Sequence, residues 1–320
     1  MTSSRLIAVL ASSFALAAGV AACGGGGGDT TGGGSVSGSI AIDGSSTVFP
    51  LTQAAAEAFQ GENSGVQITV GESGTGGGFE KFCAGETQIN DASRAIEPEE
   101  ISACKKKGIP YTNFQVANDG ISVVTNPDLG IKCLTTEQLK ELWNKGSKIT
   151  NYSQLGKDPE TGKPLPDAPV SLYGPGTDSG TFDFFTDEIN GAEGVSRSDY
   201  QPSEDDNVLV EGVAGDSDGL GYFGFSYYEQ NQDKLNLVAV DSGKGCVLPA
   251  KKTIQDGTYT PLSRPLYIYP NTDDLKQAQV KAFVQDYVDN AVSYADTAQL
   301  VPLTPAQQSE SKAALQKALG

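Results

Sequence analysis

The stretch "GPGTDSGTFDFF", residues 174–185, places Asp178 and Ser179 among small residues just before a predicted helix. Three chemistries suit such a segment: a serine nucleophile, one carboxylate of an aspartic-protease pair, or a loop that binds an anion. A serine nucleophile needs a base, and the 320 residues include no histidine. This excludes a Ser-His-Asp triad and any histidine-containing zinc site, and no lysine or cysteine lies close to Ser179 in sequence.

The protease hypothesis depends on a second Asp-Ser-Gly motif, which occurs at 241–243 after the strand-like "NLVAV". The two motifs lie too close along the chain for two protease lobes built around one shared-proton dyad. In addition, the first motif opens a predicted helix. An anion-binding loop is therefore the favoured interpretation.

Two other segments have the same composition as this loop. They are "DGSSTVFP" at 43–50 and "GESGTGGGF" at 71–79, and each follows a predicted strand and leads into a predicted helix. Such junctions present unpaired backbone N–H groups, the positive end of a helix and hydroxyl donors. Because ligands in open α/β sheets bind at the carboxyl ends of strands, we expect the three loops to converge on one anion.

The elements that must position these loops alternate between strands and helices. Examples are "SIAIDG" followed by the alanine-rich "VFPLTQAAAEAF", and "VSLYGPG" followed by "SGTFDFFTDEI". We also predict a helix over "TTEQLKELW", capped by Thr135 or Thr136, and a long amphipathic helix after the strand "LYIYP". The alternation predicts an α/β fold with mainly parallel strands.

The N-terminus has the pattern of an export signal. Arg5 precedes an apolar stretch that ends in Val20-Ala21-Ala22-Cys23, which resembles a bacterial lipobox. We predict a signal peptide over 1–22, acylation of Cys23, and a flexible Gly-rich tether over 23–35. The alternative is an ordinary secretory signal with an incidental cysteine.

The four remaining cysteines suit an oxidising compartment and two disulfides. Four cysteines allow three pairings, of which we favour Cys83–Cys104 and Cys133–Cys246. The formal charge of −18 argues against nucleic acid or anionic lipid as a partner.

Seven segments together resemble the PstS family, the phosphate-binding lipoproteins of bacterial phosphate ABC transporters. They are "DGSSTVFPLTQAAAEAF", "ESGTGGGFEKFCAG", "INDASRAI", "YGPGTDSGTFDFFTDEI", "SEDDNVLVEGVAGD", "LGYFGF" and "YTPLSRPLYIY". The resemblance implies an α/β, two-lobed periplasmic-binding-protein fold of type II with a hinged cleft. It also implies a monomer without cofactor or enzymatic activity, which binds inorganic phosphate and delivers it to membrane permease subunits. The protein would be lipid-anchored at the outer face of the bacterial cell membrane.

The resemblance also implies lobe boundaries. The first lobe would comprise 36–118 and 259–320, and the second 119–258, with crossings near Ala117 and Tyr259. Each of the two favoured disulfides would then stay within one lobe.

By position, the family's donors correspond to Ser46, Thr47, the Val48 amide, Ser73, Ser179, Gly180 and Thr181. The chain departs from the family pattern at two places. Pro175 stands where better-known members have an arginine, and Arg94 stands where they have an aspartate. We therefore predict that the cationic clamp is Arg94, whose planar fork suits bidentate phosphate binding.

A carboxylate that accepts the phosphate proton would discriminate against sulfate, which has no proton to donate. Asp178 is the candidate because it adjoins the donors, and Asp91 and Asp43 are the alternatives. Asp178 could instead orient Arg94. The tract "SEDDN", 203–207, fits either a cleft-side helix start or a solvated cap. The competing functions are binding of another oxyanion, such as sulfate or molybdate, and a hydrolase that uses the same cleft.

Overall fold

The fold is known from a computed structural model that describes residues 36–320. The predicted signal peptide, Cys23 and tether lie outside the described residues. The strands are β1 (Gly38–Gly44), β2 (Val66–Val70), β3 (Ile89–Ala92), β4 (Phe114–Thr125), β5 (Cys133–Thr135), β6 (Ser171–Pro175), β7 (Gln201–Ser203), β8 (Gly219–Gly224), β9 (Asn236–Asp241), β10 (Cys246–Val247) and β11 (Ser263–Pro270).

The helices fill the intervals between the strands. They are α1 (Phe49–Glu62), α2 (Gly74–Ala84), α3 (Pro98–Lys107), α4 (Thr136–Trp143), α5 (Gly180–Phe185), α6 (Asp206–Gly215), α7 (Phe225–Gln230), α8 (Lys251–Gln255), α9 (Ala278–Thr297) and α10 (Pro305–Leu319). The cap of α4 is Thr135, whose hydroxyl accepts from the amide of Gln138 at 3.0 Å. The helix predicted over 179–189 is shorter, because α5 ends at Phe185 and gives way to a π-helical turn at Thr186.

The strands form one sheet in the order β2-β1-β3-β11-β4-β8-β6-β7, with β9 also on β4 and both β5 and β10 on β9. The prediction of mainly parallel strands is correct at the ends of this order and wrong in the middle. There, β11 runs antiparallel to β3 and β4, and β4 runs antiparallel to β8 and β9. The chain passes from one half of the sheet to the other along β4 and returns along β11, so these two strands must run in opposite directions.

Two large hydrophobic cores lie along this sheet. One is formed by residues between Ile40 and Ala117 together with residues between Leu266 and Leu315, where α1 and α9 pack on the sheet. The other is formed mostly by residues between Ile121 and Leu262, including an aromatic group around Trp143. The fold is thus the predicted α/β fold of two lobes.

Both favoured disulfides are confirmed. Cys83 of α2 is bonded to Cys104 of α3, and Cys133 of β5 is bonded to Cys246 of β10. Each bond joins two elements that contact each other, α2 with α3 and β5 with β10.

Candidate functional site

The loops after β1, β2, β3 and β6 meet around one cavity of about 560 Å³. They contribute residues 45–47, 73–77, 93–95 and Gly180 to its lining. This volume lies within the range of roughly 300–1,000 Å³ that is typical of small-molecule sites. The convergence of the Ser/Thr loops predicted from the sequence is therefore present.

The first loop is fixed by Gly44 at the end of β1. Its φ of +144° is in a region that favours glycine, and a Cβ there would collide with the backbone carbonyl of Asp91. That same carbonyl accepts a hydrogen bond from the Ser45 amide at 3.0 Å. The close contact between β1 and β3 places Ser46 and Thr47 at the cavity, where both were predicted.

The second loop is fixed by a carboxylate. Asp43 accepts hydrogen bonds from the amide of Ser73 at 3.1 Å and from the Ser73 hydroxyl, and it pairs with Lys81 Nζ at 2.6 Å. Burial raises the pKa of Asp43, but the hydrogen bonds from Lys81 and Ser73 outweigh it, so the pKa is below its ordinary value. The hydroxyl of Ser73 must leave Asp43 before it can donate to an anion.

The cation at the centre of the site is Arg264, near the start of β11. Its Nη2 donates to Thr47 Oγ1 at 2.7 Å, its Nη1 to Ser93 Oγ at 3.1 Å, and its Nε to Asp119 Oδ2 at 3.2 Å. The side chain is only 16% exposed. Burial lowers the pKa of Arg264 and Asp119 opposes this effect, so the group remains a cation as arginine does in proteins. Because Thr47 accepts from Arg264, its own proton can be donated to an anion.

Arg94, the predicted clamp, lines the same cavity but is engaged elsewhere. Its two terminal nitrogens bind Glu100 at 2.8 and 2.9 Å, and its Nε lies 3.3 Å from Glu97. The side chain is 35% exposed. Hydrogen bonding to Glu100 raises the pKa of Arg94, so the cation is held by carboxylates of its own segment. Its role as a phosphate ligand stays a prediction.

The predicted donors of the "SGT" segment are divided between two spaces. Gly180 lines the large cavity, whereas Ser179 and Thr181 line an adjoining cavity of about 190 Å³. Ser46, Thr47 and Gly180 form the partition, since they line both. The hydroxyl of Ser179 accepts from the amide of Thr181 at 3.2 Å, as in an N-cap.

Two predicted residues line neither cavity. Val48 is fully buried, and its amide donates to the carbonyl of Ser45 at 3.1 Å, which is a turn within the first loop. Asp178 is exposed, and its amide lies 3.4 Å from a carboxylate oxygen of Glu204. The geometry thus gives no support to Asp178 as proton acceptor, or as a partner of Arg94.

Part of the lining of the large cavity is acidic. It is formed by Asp183, Asp187, Glu188 and Glu193. Burial, with repulsion from Glu193, raises the pKa of Asp183 to about 6, although the positive charge of Arg264 opposes the shift. Burial likewise raises the pKa of Glu188. A half-buried carboxylate that titrates near neutrality therefore faces the anion loops.

The two alternative acceptors are also accounted for. Asp43 is engaged by Ser73 and Lys81, as described above. Asp91 is completely buried beneath the first loop, and neither of its carboxylate oxygens has a hydrogen-bond partner. Burial raises the pKa of Asp91 to about 8, so at neutral pH this group is an uncharged acid. Neither residue lines either of the two cavities described above.

Within residues 36–320, no three His, Cys, Asp or Glu side chains come together in a way that could hold a metal ion. In the same residues, no helix has both the length and the apolar character needed to cross a bilayer.

Sequence reasoning missed Arg264 and Asp183. Arg264 lies within "YTPLSRPLYIY", a segment that contributes to the family resemblance, so the signal was present but no role was assigned to its arginine. Asp183 follows Ser179 by one helical turn, and its amide donates to the Ser179 carbonyl at 3.1 Å. Asp183 also lies three residues after Gly180, and this i,i+3 spacing places both on the face of α5 that lines the large cavity.

Comparisons with known proteins agree with this geometry. Residues 29–290 match the PBP superfamily domain. The chain is 44% identical over 267 residues to the protein SphX of Synechococcus elongatus, a match that covers 82% of this chain and 77% of SphX. It is 38% identical over 289 residues to the phosphate-binding protein PstS of Staphylococcus saprophyticus, covering 88% of this chain and 86% of that one.

A solved structure is also similar. The crystal structure of a possible phosphate binding protein from Planctomyces limnophilus matches with a TM-score of 0.83 and 41% sequence identity, covering 89% of this chain and 100% of that chain. The resemblance found in the sequence is thereby confirmed. The chain belongs to the PBP superfamily and, within it, to the family of the PstS and SphX proteins.

Proposed function

We propose that this protein is the solute-binding component of a phosphate ABC importer. It captures inorganic phosphate in the cleft between its lobes and delivers it to membrane permease subunits, acting as a monomer and without a catalytic step. Family membership supports this role. A hydrolase is disfavoured because Ser179 caps its own helix and the chain has no histidine to serve as its base.

The observation that carries the proposal is the convergence on Arg264. A largely buried guanidinium, two hydroxyl groups and the helix-start loops of both lobes face one cavity, although the chain as a whole is strongly acidic. Exposed charges are screened beyond roughly 8 Å at physiological salt, whereas a hydrogen bond to a charged group contributes about 1.5–3 kcal/mol. Several converging donors therefore outweigh the negative charge of the distant surface. At the four carboxylates that line the cavity itself, the cation Arg264 and the raised pKa of Asp183 reduce the repulsion of an anion.

We assign donors to the phosphate as follows: the hydroxyl groups of Ser46, Thr47 and Ser73, the backbone of Gly180, and the fork of Arg264. Arg94 supplies further positive charge at the rim. Ser179 and Thr181 line the adjoining cavity, so they donate to phosphate only when the partition formed by Ser46, Thr47 and Gly180 opens. Asp183 accepts a hydrogen bond from the protonated oxygen of phosphate, which is the role first predicted for Asp178.

We further propose lobe boundaries at 36–118 with 259–320, and at 119–258. The composition of the two cores supports them, since one core ends at Ala117 and resumes at Leu266. The other lies almost wholly between Ile121 and Leu262, with Val301 as its exception.

The anchor belongs to the proposal as well. We propose that residues 1–22 are removed, that Cys23 is acylated with chains such as palmitate, and that the protein is held as a lipoprotein at the outer face of the cell membrane. Mass spectrometry of the mature N-terminus would test this. An unmodified Cys23, or a cleavage site elsewhere, would contradict it.

The main test is calorimetric titration of the mature domain with phosphate, sulfate and molybdate. We expect heat and micromolar or tighter affinity with phosphate alone. Absence of binding to phosphate would refute the proposal. Preferential binding of sulfate or molybdate would show that the ligand is that oxyanion and not phosphate.

Two variants distinguish the contributions of Arg264 and Arg94 to phosphate binding. Replacing Arg264 alone would leave Asp119 buried and unpaired, which typically costs several kcal/mol of stability. The informative variant is therefore the double change Arg264→Met with Asp119→Asn, compared with Arg94→Met. We expect the double variant to lose more than about 100-fold in affinity and Arg94→Met to lose less than about 10-fold, from the number of charge-assisted bonds each could offer. The reverse order would restore Arg94 as the clamp.

A further inference from the structure

The face of the Arg264 guanidinium is covered by an aromatic ring. The Cζ of Arg264 lies 3.7 Å from the centroid of the Phe184 ring. Phe184 is 4% exposed and belongs to the core formed mostly by residues 121–262. Arg264 and its hydroxyl partners Thr47 and Ser93 belong to the proposed lobe of 36–118 and 259–320, so Phe184 reaches the guanidinium from the other lobe.

This arrangement separates two directions of contact. The N–H groups of Arg264 point outward in the plane of the guanidinium, toward Asp119, Ser93 and Thr47, while the guanidinium carbon lies over the Phe184 ring. A ring in this position attracts the cation without competing for an N–H group. It also excludes water, which strengthens the in-plane hydrogen bonds.

The same helix fixes both sides of the contact. Gly180, at the start of α5, lies against Ser46 and Thr47, and its carbonyl is 3.5 Å from Nη2 of Arg264. One turn later, Phe184 lies on the guanidinium. Thus α5 touches the anion loops through Gly180 and the cation through Phe184.

Simple core packing does not account for this position. Phe182 and Phe185 lie on the same helix and are 3% and 0% exposed, so they are at least as buried as Phe184. Phe185 stacks on Tyr222 with a centroid distance of 3.8 Å. Among the three phenylalanines of α5, Phe184 is the one that contacts a cation.

We propose that Phe184 is a positioning residue of the anion site and a latch between the lobes. Its ring holds the fork of Arg264 toward the cavity, and the stack stabilises the closed arrangement of α5 against the first loop. Affinity and closure then depend on an aromatic face at position 184 and not only on buried volume there. The expected effect on phosphate affinity rests on the proposed function, whereas the expected effect on lobe closure does not.

Three variants test the proposal. Phe184→Leu keeps an apolar side chain and removes the aromatic face, Phe184→Tyr keeps the face, and Phe185→Leu is the matched control on the same helix. Phosphate affinity and dissociation rate are measured by calorimetry and stopped-flow, together with thermal unfolding of each variant without phosphate.

We expect Phe184→Leu to weaken phosphate binding about 10-fold, mostly through faster dissociation, and Phe184→Tyr to stay within about twofold of the original chain. Phe185→Leu should lower the unfolding temperature at least as much as Phe184→Leu while leaving the affinity unchanged. Unchanged affinity in Phe184→Leu, or equal loss in Phe185→Leu, would overturn the proposal.

A second measurement works without any ligand. The radius of gyration from small-angle scattering of the phosphate-free protein should increase in Phe184→Leu, because the lobes open, and should be unchanged in Phe184→Tyr and Phe185→Leu. An unchanged radius in Phe184→Leu would refute the latch. If the original chain binds no phosphate, the proposed function fails, and this measurement still decides whether Phe184 holds the lobes together.

Discussion

Substitution of Gly180 by alanine tests the closed cleft most directly. A Cβ at this position would contact Ser46 Oγ and would lie 2.7 Å from Thr47 Oγ1 and 3.0 Å from the Thr47 backbone nitrogen. Ordinary van der Waals contacts of a Cβ begin at 3.4 Å. A hydroxyl can rotate away, but the backbone nitrogen can move only if the loop or α5 moves. Overpacking of this kind costs about 1–3 kcal/mol.

The cost falls on the closed state, since the collision is between the two sides of the cleft. We therefore expect Gly180→Ala to weaken phosphate binding about 5- to 150-fold, the range that corresponds to 1–3 kcal/mol. The unfolding temperature without phosphate should fall little, because the lobes can open to relieve the collision, each side keeps its own packing, and alanine favours a helix.

Calorimetric titration with phosphate, paired with thermal unfolding, measures both effects. Gly61→Ala is the matched control. Gly61 lies in α1, a Cβ there would meet no atom within 4 Å, and the change should stabilise the helix by about 0.5–1 kcal/mol without altering affinity. If Gly180→Ala bound phosphate as tightly as the original chain, the contact across the cleft would not belong to the bound state.

Three further predictions concern titration and crosslinking. Because the pKa of Asp183 is raised to about 6, phosphate binding should weaken as the pH falls from 7 toward 5. In Asp183→Asn, calorimetry should show that this pH dependence and the discrimination against sulfate are both lost. Retained discrimination against sulfate would exclude Asp183 as the acceptor. The pKa of Asp91 is about 8 in the folded chain and 3.8 ordinarily, so between these values the folded state binds a proton that the unfolded state does not. As the pH rises through this range, the free energy of unfolding should fall by up to about 1.4 kcal/mol per pH unit. Denaturant titrations of Asp91→Asn should lack that slope, and an unchanged slope would assign it to other groups. Replacing both Cys133 and Cys246 by serine opens a loop with a sequence separation of 113. Denaturant unfolding should then show that the free energy of unfolding falls by about 4–5 kcal/mol, while phosphate affinity persists. Loss of phosphate binding would mean that the disulfide also shapes the site.

Local signals account for what the sequence predicted well. A Thr cap, a proline in the first helical turn and alternation of short strands with helices act over a few residues, so the helices and their starting loops could be located. The three Ser/Thr loops were recognised as a group because each one follows a strand and precedes a helix, and such junctions meet at one edge of the fold.

The sequence could not supply the directions of side chains or the pairs that are distant in sequence. Asp178 and Asp183 lie on either side of the start of α5, and only the helical turn decides that Asp183 faces the cavity while Asp178 is exposed. Arg94 is predicted to bind the anion, and the sequence did not show that Glu100 and Glu97 also lie within reach of its guanidinium. The partners of Arg264 could not be inferred locally because Thr47 is separated from it by 217 residues.

The position of Arg264 in the chain has a consequence for the order in which the protein matures. Its hydrogen bonds to Thr47 and Ser93 span 217 and 171 residues, and they require β11 to insert between β3 and β4. Contacts of such long range form late in folding because the loop-closure entropy must be overcome first. A chain interrupted before Ser263 would contain all the hydroxyl loops but would lack the buried cation and the strand that joins the two halves of the sheet. Such a fragment should be unable to retain phosphate, so the anion site is complete only after β11 has been synthesised and inserted.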